Sequence, residues 1–169
     1  MLTEEIVKKS GIKQVETDSA GAFELRKCIG EGGQGAVYTT QRKNLLIKLS
    51  YASKGFNPKT VYRRYRNLRS RTDLPEYIAK PLNEIKPIEI GDKVFYGYVM
   101  ELMEDMVSLT SLQSRKNESI DVYLNRLGGI RRIYTLLRKL AEILEQIHAA
   151  GYCYGDLNPN NIFVSSDTE

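Results

Sequence analysis

Gly30, Gly32 and Gly35 recur at fixed spacing, with Gly33 among them and Val37 two residues after the last. The residues just after Gly35 narrow the fold more than the glycines do. A dinucleotide-binding glycine fingerprint has to open a helix. Here residues 36–40 and 45–49 read instead as two strands around the short turn 41–44, so the glycines belong to an antiparallel hairpin. Without side chains, the backbone N–H groups of such a hairpin can approach phosphate oxygens closely. A plain turn uses the same residues, so the pattern needs company before it means anything.

Two further stretches provide it. In Leu45-Leu46-Ile47-Lys48-Leu49 a single lysine interrupts an apolar strand, and its ammonium must either reach solvent or meet an anion. Near the end, Tyr154-Gly155-Asp156-Leu157-Asn158-Pro159-Asn160-Asn161 leads into the apolar run Ile162-Phe163-Val164. An acid followed five residues later by an amide suits phosphoryl transfer. The Asp156 carboxylate can accept the proton of an attacking hydroxyl, and the Asn161 carboxamide oxygen can bind a magnesium ion that bridges nucleotide phosphates.

Composition sets limits on the class. The 169 residues make one ordinary domain or two small lobes, and 27% charged against 41% hydrophobic residues describes a soluble globular chain. Between Glu31 and Asp73 there is no acidic residue, yet Arg42, Lys43, Lys48, Lys54, Lys59, Arg63, Arg64, Arg66, Arg69 and Arg71 all fall there. That interval is either a solvated basic face or a surface for an anionic partner. Two cysteines, Cys28 and Cys153, are too few for a disulfide framework, which points to a reducing, cytoplasmic setting. No run is long enough for a membrane span, and the first ten residues do not form a secretory signal.

In order, the chain predicts a helical turn over Thr3–Lys9 stopped at Gly11, and extended segments at 12–17 and 22–29. A basic helix starts at Asn57-Pro58 and carries Val61, Tyr65 and Leu68 at helical spacing. Strands are expected at 77–90 and 93–100, with Pro81 and Pro87 as interruptions. A short helix is expected over 107–114 and helix or loop over 117–127. Ile133, Leu136, Leu137, Leu140, Ile143, Leu144 and Ile147 then draw one apolar face over five turns, ending at Gly151.

In order and spacing these residues resemble the protein kinase superfamily. The resemblance implies an α+β kinase-like fold: a five-stranded antiparallel N-lobe sheet with one helix, then the helical start of a C-lobe. Its boundaries would be an N-terminal extension at 1–21, an N-lobe and hinge at 22–103, and a partial C-lobe at 104–169. It implies ATP and Mg2+ as cofactors, with Gly30, Gly32, Gly33, Gly35 and Val37 over the phosphates and Lys48 pairing with them. The backbones of Glu101 and Met103 would hold adenine, Asp156 would act as the base, and Asn161 as the metal ligand. A Ser/Thr protein kinase is the leading parent type.

Several residues depart from that pattern. No glutamate lies between Lys54 and Thr72 to hold Lys48, and Leu46 stands where many kinases keep alanine. Tyr154-Gly155 replaces His-Arg, and Asn158 replaces a lysine, removing a cation from the transferring phosphoryl group. A glycine before the aspartate is also usual in small-molecule phosphotransferases of this fold. The alternatives are therefore a small-molecule kinase and a pseudokinase or regulatory binding module. Because the residues stop soon after Asn161, the expectation is a fragment that transfers phosphate poorly and self-associates through an exposed long helix.

Overall fold

The computed structural model describes residues 3–33 and 35–167. The chain divides into two compact units, the first made of Met1–Arg71 and Ala79–Leu102, the second of Thr72–Ile78 and Met103–Glu169.

The first unit is built on an antiparallel sheet. Its strands are β3 (Cys28–Gly32), β4 (Gly35–Thr39), β5 (Leu45–Ser53), β6 (Asn83–Glu84), β7 (Ile88–Ile90) and β8 (Lys93–Glu101). They run in the order β3-β4-β5-β8-β6, with β7 also paired to β8. The sheet has six strands rather than five because the segment expected at 77–90 is broken. Pro87 has no N–H to give to a ladder, and pairing to β8 resumes only at Ile88. Residues 77–82 join no strand.

Side chains alternate across a strand, so the sheet has two distinct faces. One bears Ala36, Tyr38, Ile47, Leu49, Phe95 and Val99, all buried. Onto it pack Ile6 and Val7 of helix α1 (Thr3–Lys9), together with Val15 and Phe23 of a small hairpin, β1 (Gln14–Glu16) and β2 (Ala22–Glu24). The core thus joins residues 6–23 to the sheet.

The opposite face takes helix α2 (Lys59–Ser70), whose first turn is met by Asn57 Oδ1 accepting from Lys59 N at 3.0 Å. Tyr62, not the Val61–Tyr65–Leu68 stripe, is the buried residue of α2, and its hydroxyl donates to Ile85 O at 2.6 Å. Strand β5 runs to Ser53, four residues past its apolar stretch, because β8 supplies a register partner at every position. Gly97 is required at their closest approach, since a Cβ there would lie 1.9 Å from Lys48 O.

The second unit begins with β9 (Met106–Ser108), paired antiparallel to β10 (Phe163–Ser165). The helix expected over 107–114 is strand β9 followed by a single 3-10 turn, Leu109–Leu112. Ser119 caps α3 (Ile120–Arg126), its hydroxyl accepting from Val122 N at 3.4 Å. The long helix α4 (Gly129–Ala149) comes after a left-handed Gly128, and the chain leaves it through Gly151 at φ 81°.

Candidate functional site

In an antiparallel pair, directly opposed residues share a face. Gly30 lies opposite Val37, Val37 opposite Lys48, Lys48 opposite Tyr98, and Tyr98 opposite Glu84. One row across five strands therefore brings together Gly30, Val37 and Lys48, on the face that carries α2. Leu46 shares this face and sits opposite Met100. Glu101 ends β8 opposite Leu45, and Leu102 N donates to Asn44 O at 2.9 Å, while Met103 belongs to the second unit.

The glycines divide into two kinds. Gly35 is demanded by the fold: its φ is 140°, and a Cβ would sit 2.5 Å from Leu49 O. Gly32 and Gly33 have open space where a Cβ would go, and Gly30 meets only Val37 Cβ at 3.9 Å, an ordinary contact. None of these three has positive φ. Neither backbone conformation nor internal packing explains glycine at positions 30, 32 and 33.

Among the described residues Lys48 makes no ion pair. Where a helix glutamate would approach it, α2 presents Tyr65, which meets Tyr98 edge-on with ring centroids 4.7 Å apart. The acid of this region is on the sheet. Glu84 Oε2 lies 3.5 Å from Arg69 Nη1 and Oε1 4.0 Å from Arg66 Nε, and Oε1 is buried without a hydrogen bond. The charges of helix and strand are thus exchanged relative to the kinase pattern. Burial pushes the hydroxyls of Tyr62, Tyr65 and Tyr98 up. Sequence reading missed Glu84; the available signal was an acid two residues after Leu82 that faces a helix without acids.

In the second unit the acid and amide of the late motif do meet. Asp156 Oδ1 accepts from Asn158 Nδ2 at 2.8 Å, and Oδ2 accepts from Asn161 Nδ2 at 2.7 Å. Asn161 Nδ2 also reaches Asp156 O at 3.1 Å, so the amide's donor side is turned to Asp156. Asn158 has a second task, its Oδ1 accepting from Asn160 N at 3.0 Å to cap the 3-10 turn Pro159–Asn161. The loop is braced from outside by Ser108 Oγ, donating to Pro159 O at 2.9 Å, and by Thr110 Oγ1, donating to Asn160 Oδ1 at 2.8 Å. Leu109 N adds a bond to Ile162 O, and Arg132 on α4 donates to Ser165 O. Burial, and then the charge of Asp156, push the Tyr154 hydroxyl up; that hydroxyl donates to Asn161 O at 3.4 Å. Among the described residues no cluster of three or more His, Cys, Asp or Glu could hold a metal by itself.

Comparison with known proteins adds to this geometry. Residues 97–169 match the model of the lipopolysaccharide kinase (Kdo/WaaP) family. The serine/threonine-protein kinase PknE of Mycobacterium bovis is 26% identical over 87% of this chain and 24% of its own length. For PknD of Mycobacterium tuberculosis the figures are 25%, 86% and 20%. The chain is protein kinase-like, and distantly so. The mitosis inhibitor protein kinase SWE1 of Candida albicans is 27% identical over 97% of this chain but only 13% of its own. The chain spans about a quarter or less of the length of these relatives. Its antiparallel sheet, α2 and the helical second unit correspond to a kinase-like N-lobe and the start of a C-lobe. No helix among the described residues is long and apolar enough to cross a membrane.

Proposed function

We propose that this chain is the nucleotide-binding and acceptor-activating part of a kinase-like phosphotransferase that uses ATP and Mg2+. The observation that carries the reading is Asp156, whose two carboxylate oxygens are held by the amides of Asn158 and Asn161. A carboxylate fixed at both oxygens loses little freedom when it receives the acceptor's hydroxyl proton. Asn161 Oδ1 suits a hard cation, which when bound neutralises phosphate charge. Lys48, without a counter-ion among the described residues, is suited to a phosphate, and the space above Gly30, Gly32 and Gly33 supports the same assignment. Main-chain groups of Glu101 and Met103 are assigned to adenine by position in the kinase pattern.

Two acceptor classes are supported by different observations. Likeness to PknE and PknD over most of the chain favours a Ser/Thr protein acceptor. Gly155 before the aspartate, and the lipopolysaccharide kinase match across that loop, favour a saccharide hydroxyl. Asn158 supplies no cation to the phosphoryl group, so transfer by these residues alone is slow. Lys59, Arg63 and Arg64 on α2 remain exposed and are where an anionic partner would dock.

The test is a thermal-shift titration with ATP and Mg2+. Saturation to a hundred times Kd should stabilise the fold by about 2.7 kcal/mol, and Lys48→Ala should remove most of the shift. Labelled-phosphate transfer to casein and to lipopolysaccharide then separates the acceptors, and Asp156→Asn should abolish transfer while leaving the shift intact. A wild-type melting temperature indifferent to ATP and Mg2+ would sink the proposal.

A further inference from the structure

The glycine-rich hairpin is attached to something that the kinase pattern does not require. Glu31 lies opposite Ala36, a fully buried core residue, whereas Gly30 and Gly32 on either side of it are directed to the other face. Glu31 therefore points to the side on which α1 packs. There its Oε1 accepts from Glu4 N at 2.6 Å, the longest-range side-chain bond made by this hairpin to α1. Glu4 N is among the amides of the first helical turn that have no intrahelical acceptor, so the bond satisfies an orphan donor while tying a loop to a helix.

The surroundings favour this contact. Thr3 is buried and, with Gly33, Gly35, Ser50, Tyr51 and Tyr96, lines a cavity of about 200 Å³ beside the hairpin. Ile6 and Val7 anchor α1 in the sheet's core, so the helix is a fixed post rather than a loose arm. Lys8 Nζ lies 2.6 Å from Glu4 Oε1 and offsets the acid next to Glu31. Beneath them, burial pushes up both the Cys28 thiol and the Tyr38 hydroxyl.

We infer that Glu31 is a positioning residue: by bonding to Glu4 N it ties the glycine-rich hairpin to α1 and holds it in the shape that receives the nucleotide's phosphates. This rests on the proposed role of the hairpin in binding nucleotide. Gly30, Gly32 and Gly33 leave the hairpin intrinsically floppy. A tether on the opposite face lowers the cost of ordering it when a ligand arrives. Nucleotide affinity then depends on residues 3–9, which pack on the sheet face opposite to that of Lys48.

Four variants of the full chain test it: Glu31→Ala, Glu31→Gln, Glu4→Pro and Glu4→Ala. Glutamine keeps an acceptor oxygen. Proline, tolerated in a first helical turn, removes the donor N–H, which alanine retains. For an exposed hydrogen bond the expected loss of MgATP affinity by calorimetry is about three- to tenfold in Glu31→Ala and Glu4→Pro. In both variants amide exchange at residues 31–35 should accelerate by a similar factor, while Glu31→Gln and Glu4→Ala stay near wild type. The inference fails if Glu31→Ala exchanges and binds like wild type, or if Glu4→Ala does as much as Glu4→Pro. Should the wild type bind no MgATP, the nucleotide reading falls by itself, and hairpin exchange across the four variants still decides whether the tether exists.

Discussion

Glu118 receives both guanidinium arms of Arg126, Nε on Oε1 at 2.8 Å and Nη2 on Oε2 at 2.9 Å, and the backbone N–H of Arg115 on Oε2 at 2.8 Å. Those donors hold its carboxyl down to about 2, against an ordinary 4.5. With the folded value below the unfolded one, ionised Glu118 stabilises the fold fully above pH 4.5, and that contribution disappears as pH falls through about 2. Glu118→Gln should therefore flatten the acid side of the stability–pH curve between these values, measured by urea unfolding at each pH; an unchanged slope would show that Glu118 has no part in acid stability. Nothing at residues 115–126 announces this pairing in the sequence, because acid and base eight apart meet only once a turn and α3 fold between them. Asp156 and Asn161 are different. They lie five positions apart in a tight loop, so their meeting was readable from spacing.

At the scale of elements, α2 shows how a helix can keep its place after losing the residue expected to hold it. Glu84 on β6 faces Arg66 and Arg69, Tyr65 rests edge-on against Tyr98, and Tyr62 bonds to a buried carbonyl. The ion pairs are partly exposed, so each contributes little. Tyr62 matters more, since removing its hydroxyl strands Ile85 O inside the core. Tyr62→Phe should cost about 1 kcal/mol in urea unfolding, and a loss below the error of the measurement would show that water takes the hydroxyl's place. The start of α2 was legible from Asn57-Pro58, but its buried face was not. Four arginines and two tyrosines blur the helical stripe, and the sheet selects Tyr62 by offering it an acceptor. Strand β9 was likewise hidden: Met106–Ser108 has weak alternation of its own and becomes a strand because β10, more than fifty residues later, pairs with it.

For the whole molecule, the apolar surface of α4 is the least settled feature. Ile130, Tyr134 and Leu137 are all more than half exposed. Leu136 and Leu137 also border an apolar hollow of about 230 Å³ that reaches Leu109, Leu112 and Pro159. Exposed aliphatic and aromatic groups arranged along one helix favour association between copies. Sedimentation at rising concentration should show self-association of the 169-residue chain, and Leu137→Glu should restore the monomer. A monomeric wild type over the whole range would count against it.

The sequence by itself determined what short-range chemistry controls. The glycine hairpin, the lysine in an apolar strand, the Asp156–Asn161 loop and the five-turn stripe of α4 each arise from neighbours a few residues apart. Tertiary structure decided the rest. The row from Gly30 to Glu84, the burial of α1 against the sheet, the exchange of acid and base between β6 and α2, and the bond from Glu4 to Glu31 all depend on strand register. Register is set by the packing of whole faces, where a slip of one residue would turn every side chain to the other side; no local pattern encodes it.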